Sequence, residues 1–187
     1  MKRQITISLF LLTIFCVASV FAQKTEKEKL DFSGTWEFEK LENSTGLLIA
    51  DKNSEKFKVF HQVLIEQKDV EIKISEKIRY EFLNPKTGKS SVTEGESALI
   101  YFIDGRGENN TIDQKKVNSI TKWKGNVLTI NFYNAEKTII GTVEWKLSKD
   151  YKKLISIKKE KNPKNVAPFV LLVNPLLNNK TTFTRKL

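Results

Sequence analysis

The sequence predicts an all-β fold, an antiparallel up-and-down β-barrel of about eight to ten strands. Three observations predict it. Apolar and polar residues alternate with period two over many short segments, as a sheet with one buried and one wet face requires. Turn residues separate these segments at hairpin spacing, and no convincing long helix interrupts them. Gly34-Thr35-Trp36 on the first predicted strand is answered by Arg185 on the last, which suggests a barrel closed by its two ends. Closure also disposes of the unpaired edges that a chain rich in β-branched residues would otherwise expose.

The chain opens on basic Met1-Lys2-Arg3, continues with a mostly apolar run from Ile5 to Phe21, and then reads Val20-Phe21-Ala22. That is the pattern of a secretory signal cleaved after Ala22. Residues 1–22 are therefore read as a signal peptide, 23–31 as a flexible leader and 32–187 as one barrel domain. The alternative is a retained anchor; the apolar run is near the lower limit for a spanning helix, and the terminal Ala favours cleavage. Cys16, the one cysteine, follows bulky Phe15, which disfavours lipidation, and reads as a small hydrophobe inside the signal. Cleavage leaves a mature chain without cysteine, so its core must hold it together without disulfides.

The whole chain carries a net charge of +10; the signal holds two of the 32 basic residues and none of the 22 acidic ones, so the mature chain keeps +8. Such a charge could attract nucleic acid or anionic lipid. The interleaving of Lys and Glu, as in Glu71, Lys73, Glu76 and Lys77, instead suits the wet face of a sheet, and no long basic run exists. No nucleic-acid partner is expected.

The first strand is predicted over Ser33 to Leu41, with Trp36 and Phe38 on one face. Residues 42–57 read as loop, with one helical turn around Leu47-Leu48-Ile49. From Phe60, Val63 and Ile65 share a face; Lys68-Asp69 turns the chain, and Val70, Ile72 and Ile74 continue. Asn84-Pro85-Lys86-Thr87-Gly88 is a turn by composition. Ala98, Ile100 and Phe102 are read as the next buried face, ended by Asp104-Gly105-Arg106-Gly107. Val117 to Trp123 is a strand, Gly125-Asn126 a two-residue hairpin, and Leu128, Ile130 and Phe132 the following face. Val143, Trp145 and Leu147 alternate with polar residues, Lys149-Asp150 turns into Leu154 to Ile157, and the last strand covers Lys180 to Lys186. One stretch departs from the pattern. Pro168 to Leu177 contains the apolar run Phe169 to Val173, and its prolines discourage a ladder strand. It is expected to fold across one mouth of the barrel as a lid; packing on the outer wall, or an exposed patch for a partner, are the alternatives.

Catalytic signals are thin. His61 is the single histidine and reads as a surface residue, no thiol survives processing, and no Gly-x-Ser-x-Gly elbow appears. Asp104-Gly105-Arg106-Gly107 lacks the Lys-Ser/Thr of a phosphate loop and reads as a glycine turn. Metal sites of His or Cys are excluded by count, and oxygen ligands near Asp104, Glu108, Asn109 and Asn110 match no calcium-loop spacing. No catalytic residue, metal or cofactor is expected.

Taken in order, Ala22-Gln23, Gly34-Thr35-Trp36, Asp104-Gly105, Trp123-Lys124-Gly125, Trp145-Lys146-Leu147-Ser148 and Phe183-Thr184-Arg185-Lys186 resemble the motifs of small exported lipocalin-like (calycin-type) proteins of bacteria. The resemblance covers nearly the whole mature chain. It departs from typical lipocalins in lacking a C-terminal helix and a cysteine pair, and in the apolar insertion before the last strand. It implies a lipocalin-like barrel in which Gly34, Trp36 and Arg185 close one end, with Arg185 across the Trp36 ring. It further implies a non-catalytic protein, secreted or periplasmic, that binds a small apolar ligand in or at the mouth of the barrel. Phe38, Phe102, Trp123, Phe132 and Trp145, with Phe169 and Leu172 at the mouth, are the candidate ligand-binding residues. If these large side chains fill the barrel, the alternative is an envelope or extracellular interaction protein or scaffold that meets a protein partner through its surface. No transmembrane segment is expected after cleavage.

Overall fold

The computed structural model describes residues 30–55, 57–112, 115–160 and 178–186. The signal-like segment 1–22, nearly all of the leader and the expected lid from Pro168 to Leu177, with Phe169 and Leu172, lie outside the described residues.

The described chain is all-β and antiparallel. In order it forms β1 (Gly34–Asn43), β2 (Leu48–Asp51), β3 (Phe57–Lys68), β4 (Glu71–Leu83), β5 (Ser90–Phe102), β6 (Glu108–Ile112), β7 (Lys115–Lys124), β8 (Val127–Tyr133), β9 (Ile139–Leu147), β10 (Lys153–Glu160) and β11 (Asn179–Arg185). The sheet runs β5-β4-β3-β1-β11-β10-β9-β8-β7-β6, with β2 beside β1 off this path. Most neighbours are hairpin partners. Of the two exceptions, β3–β1 skips only β2, and the other joins the first strand to the last: β11 lies antiparallel to β1, with Trp36 opposite Arg185 and Phe38 opposite Phe183.

The sheet's remaining ends, β5 and β6, meet through side chains. Asn110 Oδ1 accepts from the Ile100 N–H at 3.2 Å, and Asn110 Nδ2 donates to the Ile100 carbonyl at 2.9 Å. Glu108 Oε1 accepts from the Phe102 N–H at 2.8 Å, while its Oε2 accepts from Ser119 Oγ at 2.9 Å. The barrel is therefore nearly closed, one seam being stapled by an amide and a carboxylate instead of a backbone ladder. These contacts occupy two of the four residues weighed as oxygen ligands for a cation, and Asp104 is held by the Arg106 guanidinium.

Two strands were not legible in the sequence. The segment read as loop with a helical turn is the β1–β2 hairpin. Asn43 Oδ1 accepts from the N–H of Thr45 at 3.0 Å, its hydroxyl at 2.8 Å and the Leu47 N–H at 2.8 Å, which reverses the chain. The reason for pairing is geometric: β3 ladders with β1 only from Gly34 to Glu37, and β2 takes the same edge from Lys40 to Glu42. β6 carries two asparagines, poor strand formers, and owes its conformation to pairing with β7. The turn placed at Lys68-Asp69 falls one residue later, after a β3 that ends on Lys68, with Asp69 left-handed at φ 51°.

The core lies inside the barrel. Its main cluster includes Phe32, Trp36, Ile65, Leu128, Ile130, Trp145, Leu154 and Phe183. A smaller cluster, Phe38, Leu41 and Ala50 with Phe57 and Val59 against it, sits where β2 joins β1. The phase expected for β5 is reversed. Leu99, Tyr101 and Ile103 are the buried set, whereas Ile100 is exposed and Phe102 lies on the outer face with the Arg106 guanidinium 4.9 Å from its ring centroid. Both phases of this strand are apolar, so only its register on β4, with Leu99 opposite Ile74 and Tyr101 opposite Ile72, decides which faces in.

The outer wall carries cross-strand ion pairs: Lys73–Glu66 at 3.2 Å, Lys77–Glu96 at 3.1 Å, Lys153–Glu39 at 2.7 Å and Lys159–Glu144 at 2.8 Å. Much of the basic charge is thus matched locally, as the interleaving predicts. Glu76 and Glu108 are the exceptions; both carboxylates are buried.

Candidate functional site: a polar patch inside the barrel

One end of the barrel is sealed. The Arg185 guanidinium sits 4.7 Å from the centre of the Trp36 ring, and its Nη2 donates to the Ser33 carbonyl at 3.0 Å. Trp36 Nε1 donates to the Phe32 carbonyl at 3.0 Å, and the Phe32 N–H donates to Gln67 Oε1 at 3.2 Å. Gly34 is required here. Its φ of +136° is strained for any side chain, and an added Cβ would meet the guanidinium at 3.7 Å. Gly34, Trp36 and Arg185 therefore come together as expected. Trp123 belongs to the same end: it stacks on Phe32 with centroids 5.3 Å apart. Its pocket-lining place in the expectation becomes a place in this seal.

Farther along the same strands the interior turns polar. In β11, Asn179, Thr181 and Phe183 share the inward face; in β10, Leu154, Ser156 and Lys158 do. The ladder sets Ser156 opposite Thr181 and Lys158 opposite Asn179. Asn179 is 2% exposed, Thr181 2% and Ser156 1%. Yet Asn179 Oδ1 and Nδ2, Thr181 Oγ1 and Ser156 Oγ have no hydrogen-bond partner among the described residues. A buried polar group left unsatisfied costs about 1–3 kcal/mol, so a cluster of them is a strong statement about what the interior is built to meet.

His61 and Glu76 complete the patch. His61 is buried rather than on the surface, because it shares the inward phase of β3 with Val59, Val63 and Ile65. Its Nε2 lies 2.8 Å from Glu76 Oε2, and its ring packs edge-on against Phe183 at 4.8 Å. Glu76 occupies the inward phase of β4 among Ile72, Ile74, Ile78 and Tyr80. Burial holds the His61 imidazole below its ordinary range, and the Glu76 hydrogen bond only partly offsets this. Burial also pushes the Glu76 carboxyl up, but the Lys158 ammonium and the His61 hydrogen bond together pull it below its usual value. Lys158 is lowered by burial against the opposing field of Glu76. Burial first, and then the Glu76 charge, push the Tyr80 and Tyr101 phenols well above their ordinary range.

Sequence reasoning missed every member of this patch. The signal was present as polar residues in phase with apolar ones: His61, Glu76, Ser156 and Thr181 each stand two positions from a buried hydrophobe on the same face, and Lys158 stands two beyond Ser156. Of the expected lining residues, Phe38, Phe132 and Trp145 are buried inside; Phe102 is not. Chemically the patch can donate and accept hydrogen bonds and hold one pair of opposite charges. The Ser156 and Thr181 hydroxyls are not bonded to His61, so no Ser–His or Thr–His couple is assembled from them. Among the described residues no group of three or more His, Cys, Asp or Glu side chains is placed to hold a metal ion.

No protein-family model and no curated protein matches the sequence. Solved structures do match the fold. The REP1-NXSQ fatty acid transporter is similar over 83% of this chain and 96% of its own, with a TM-score of 0.50 and 14% identity. A fatty-acid-binding protein from brain tissue of Drosophila melanogaster aligns over 82% of this chain and 99% of its own, with a TM-score of 0.48 and 15% identity. At such identity the likeness to the transporter shows the fold alone, an antiparallel barrel.

Proposed function

We propose that this protein is an exported, non-catalytic carrier that binds a small apolar molecule inside its barrel. The observation that carries the reading is the interior itself. An apolar shell, sealed at one end by Trp36 and Arg185, encloses buried polar atoms that the described residues leave unsatisfied. A site that is mostly apolar with a few convergent polar groups is the usual form of a small-molecule pocket. The matching fold of a fatty acid transporter supports the same reading. Export, to the periplasm or the outside, rests on the basic, apolar and small-residue pattern of residues 1–22.

Native mass spectrometry of protein purified from its own source tests the binding. A retained adduct of a few hundred daltons, released on denaturation, is expected; protein that is repeatedly free of adduct and takes up no apolar probe refutes the carrier reading. Sequencing the N-terminus of the same material tests export, with Gln23 expected as the first residue and a lipidated Cys16 as the contrary result.

A second reading has its own support. Leu47 and Leu48 on the β1–β2 turn and strand, Phe82 on β4 and Val92 on β5 are exposed, Leu47 at 68%. These apolar side chains favour an envelope or extracellular interaction protein that meets a partner through its surface. Retention of a protein partner, and no small molecule, in the same native spectra would select it.

A further inference from the structure

We propose that the ligand's polar end is uncharged, a hydroxyl or carboxamide that both donates and accepts hydrogen bonds, and not the carboxylate of a free fatty acid. The inference rests on the carrier reading above and specifies the class of molecule carried.

The unsatisfied atoms of Asn179, Thr181 and Ser156 are neutral, and the charged one that shares their phase on β10, Glu160 Oε2, can only accept. Asn179 offers an acceptor in Oδ1 and donors in Nδ2; Ser156 and Thr181 each offer a hydroxyl that can do either. All three are nine-tenths or more buried and face the barrel interior from adjacent positions of β10 and β11. A guest that only accepts would leave acceptor Oδ1 unmet. A carboxamide or hydroxyl meets both kinds of atom.

The charges point the same way. Lys158 stands opposite Asn179 in the ladder, and burial works against its ammonium while the field of the Glu76 carboxylate favours it. Glu108 adds a second buried carboxylate on the opposite wall, already committed to the Phe102 N–H and the Ser119 hydroxyl. His61, held towards its neutral form by burial, adds little positive charge. An entering carboxylate would therefore bring an anion into an interior whose cation is already opposed by Glu76. Such a buried, uncompensated charge is among the costliest arrangements in a protein. A neutral head incurs no such cost.

The test compares two probes that differ in the head alone. Oleamide and oleate are titrated against the signal-free chain by displacement of the neutral dye Nile red, at about pH 8, where the oleate head is ionised. Oleamide is expected to bind about tenfold more tightly or better. Glu76→Gln keeps the shape and a hydrogen-bonding group beside His61 but removes the opposing charge. It should move the oleate-to-oleamide affinity ratio about tenfold towards oleate, whatever it does to the two affinities separately. If Glu76→Gln does not fold, Lys158→Met gives the reciprocal expectation, with the oleate-to-oleamide affinity ratio moved further towards oleamide. Oleate binding as tightly as oleamide to the unmutated chain overturns the neutral-head inference and leaves the carrier reading standing. So does a Glu76→Gln ratio that does not move. Binding of neither probe, and of no dye, overturns the carrier reading and this inference with it.

Discussion

At the sealed end, Trp36 donates its indole N–H to Phe32, Arg185 lies across the Trp36 ring and donates to Ser33, and the Phe32 N–H finds Gln67. Four and six residues before Arg185 along β11, Thr181 and Asn179 are buried, yet their side-chain polar atoms find no partner among the described residues. The same pair of strands thus supplies a region that satisfies itself and a region that does not. The contrast separates two uses of burial. A self-satisfied cluster adds stability, because each desolvated group regains a partner. An unsatisfied one gives up stability, and in a folded domain such a loss is commonly retained at a binding site. Among the described residues the sealed end has one exception, Trp123 Nε1, which is also without a partner there.

The largest effect that could break this comparison is Trp36→Ala. It removes a fully buried indole from the centre of the seal, and a loss of about 3–5 kcal/mol is expected in urea denaturation. A loss below about 1 kcal/mol would show that the seal is not a keystone of stability. Arg185→Met keeps much of the side chain's bulk over the ring but removes its charge and its bond to Ser33. The expected loss is about 1–3 kcal/mol, from the cation–π contact and a charge-assisted hydrogen bond together.

Asn179→Leu sharpens the contrast because its sign is opposite. Replacing an unpartnered buried amide with a similar apolar volume should stabilise ligand-free protein by about 1 kcal/mol, while weakening oleamide binding. Destabilisation would mean that Asn179 already holds a partner inside the fold. The smallest effect is a slope with pH. His61 is held below its ordinary value, so the unfolded chain takes up a proton near pH 6.5 that the fold resists. Stability present above that pH should therefore fall as the pH drops through it, and Glu76, also lowered, should extend the loss below about pH 4.5. In His61→Gln the first part of the decline should vanish and the second remain, as read from denaturation midpoints between about pH 7.5 and 4.

The barrel and its seal were legible because both depend on local signals. Gly34-Thr35-Trp36 and Arg185 carry chemistry that only makes sense when the two meet, and period-two alternation in β3, β8 and β9 admits one buried phase. β5 was misread because Ala98, Ile100 and Phe102 compete with Leu99, Tyr101 and Ile103, and no local rule breaks the tie. β2 was missed because an edge left bare by β3 is a fact of three strands together. His61 was read as exposed because a lone histidine carries no sign of its partner fifteen residues away; only the β3–β4 register brings Glu76 to it.

By itself, then, the sequence determined an all-β antiparallel barrel, its closure by Trp36 and Arg185, and the matched charges of its outer wall, since alternation, turn chemistry and short motifs act within one strand or hairpin. Tertiary structure decided the phase of β5, the existence of β2 and the side-chain seam at Asn110 and Glu108. It also decided the candidate site. Whether a buried polar atom is satisfied depends on which strand lies opposite and which wall lies across the interior, and those neighbours are set by the closing of the whole sheet.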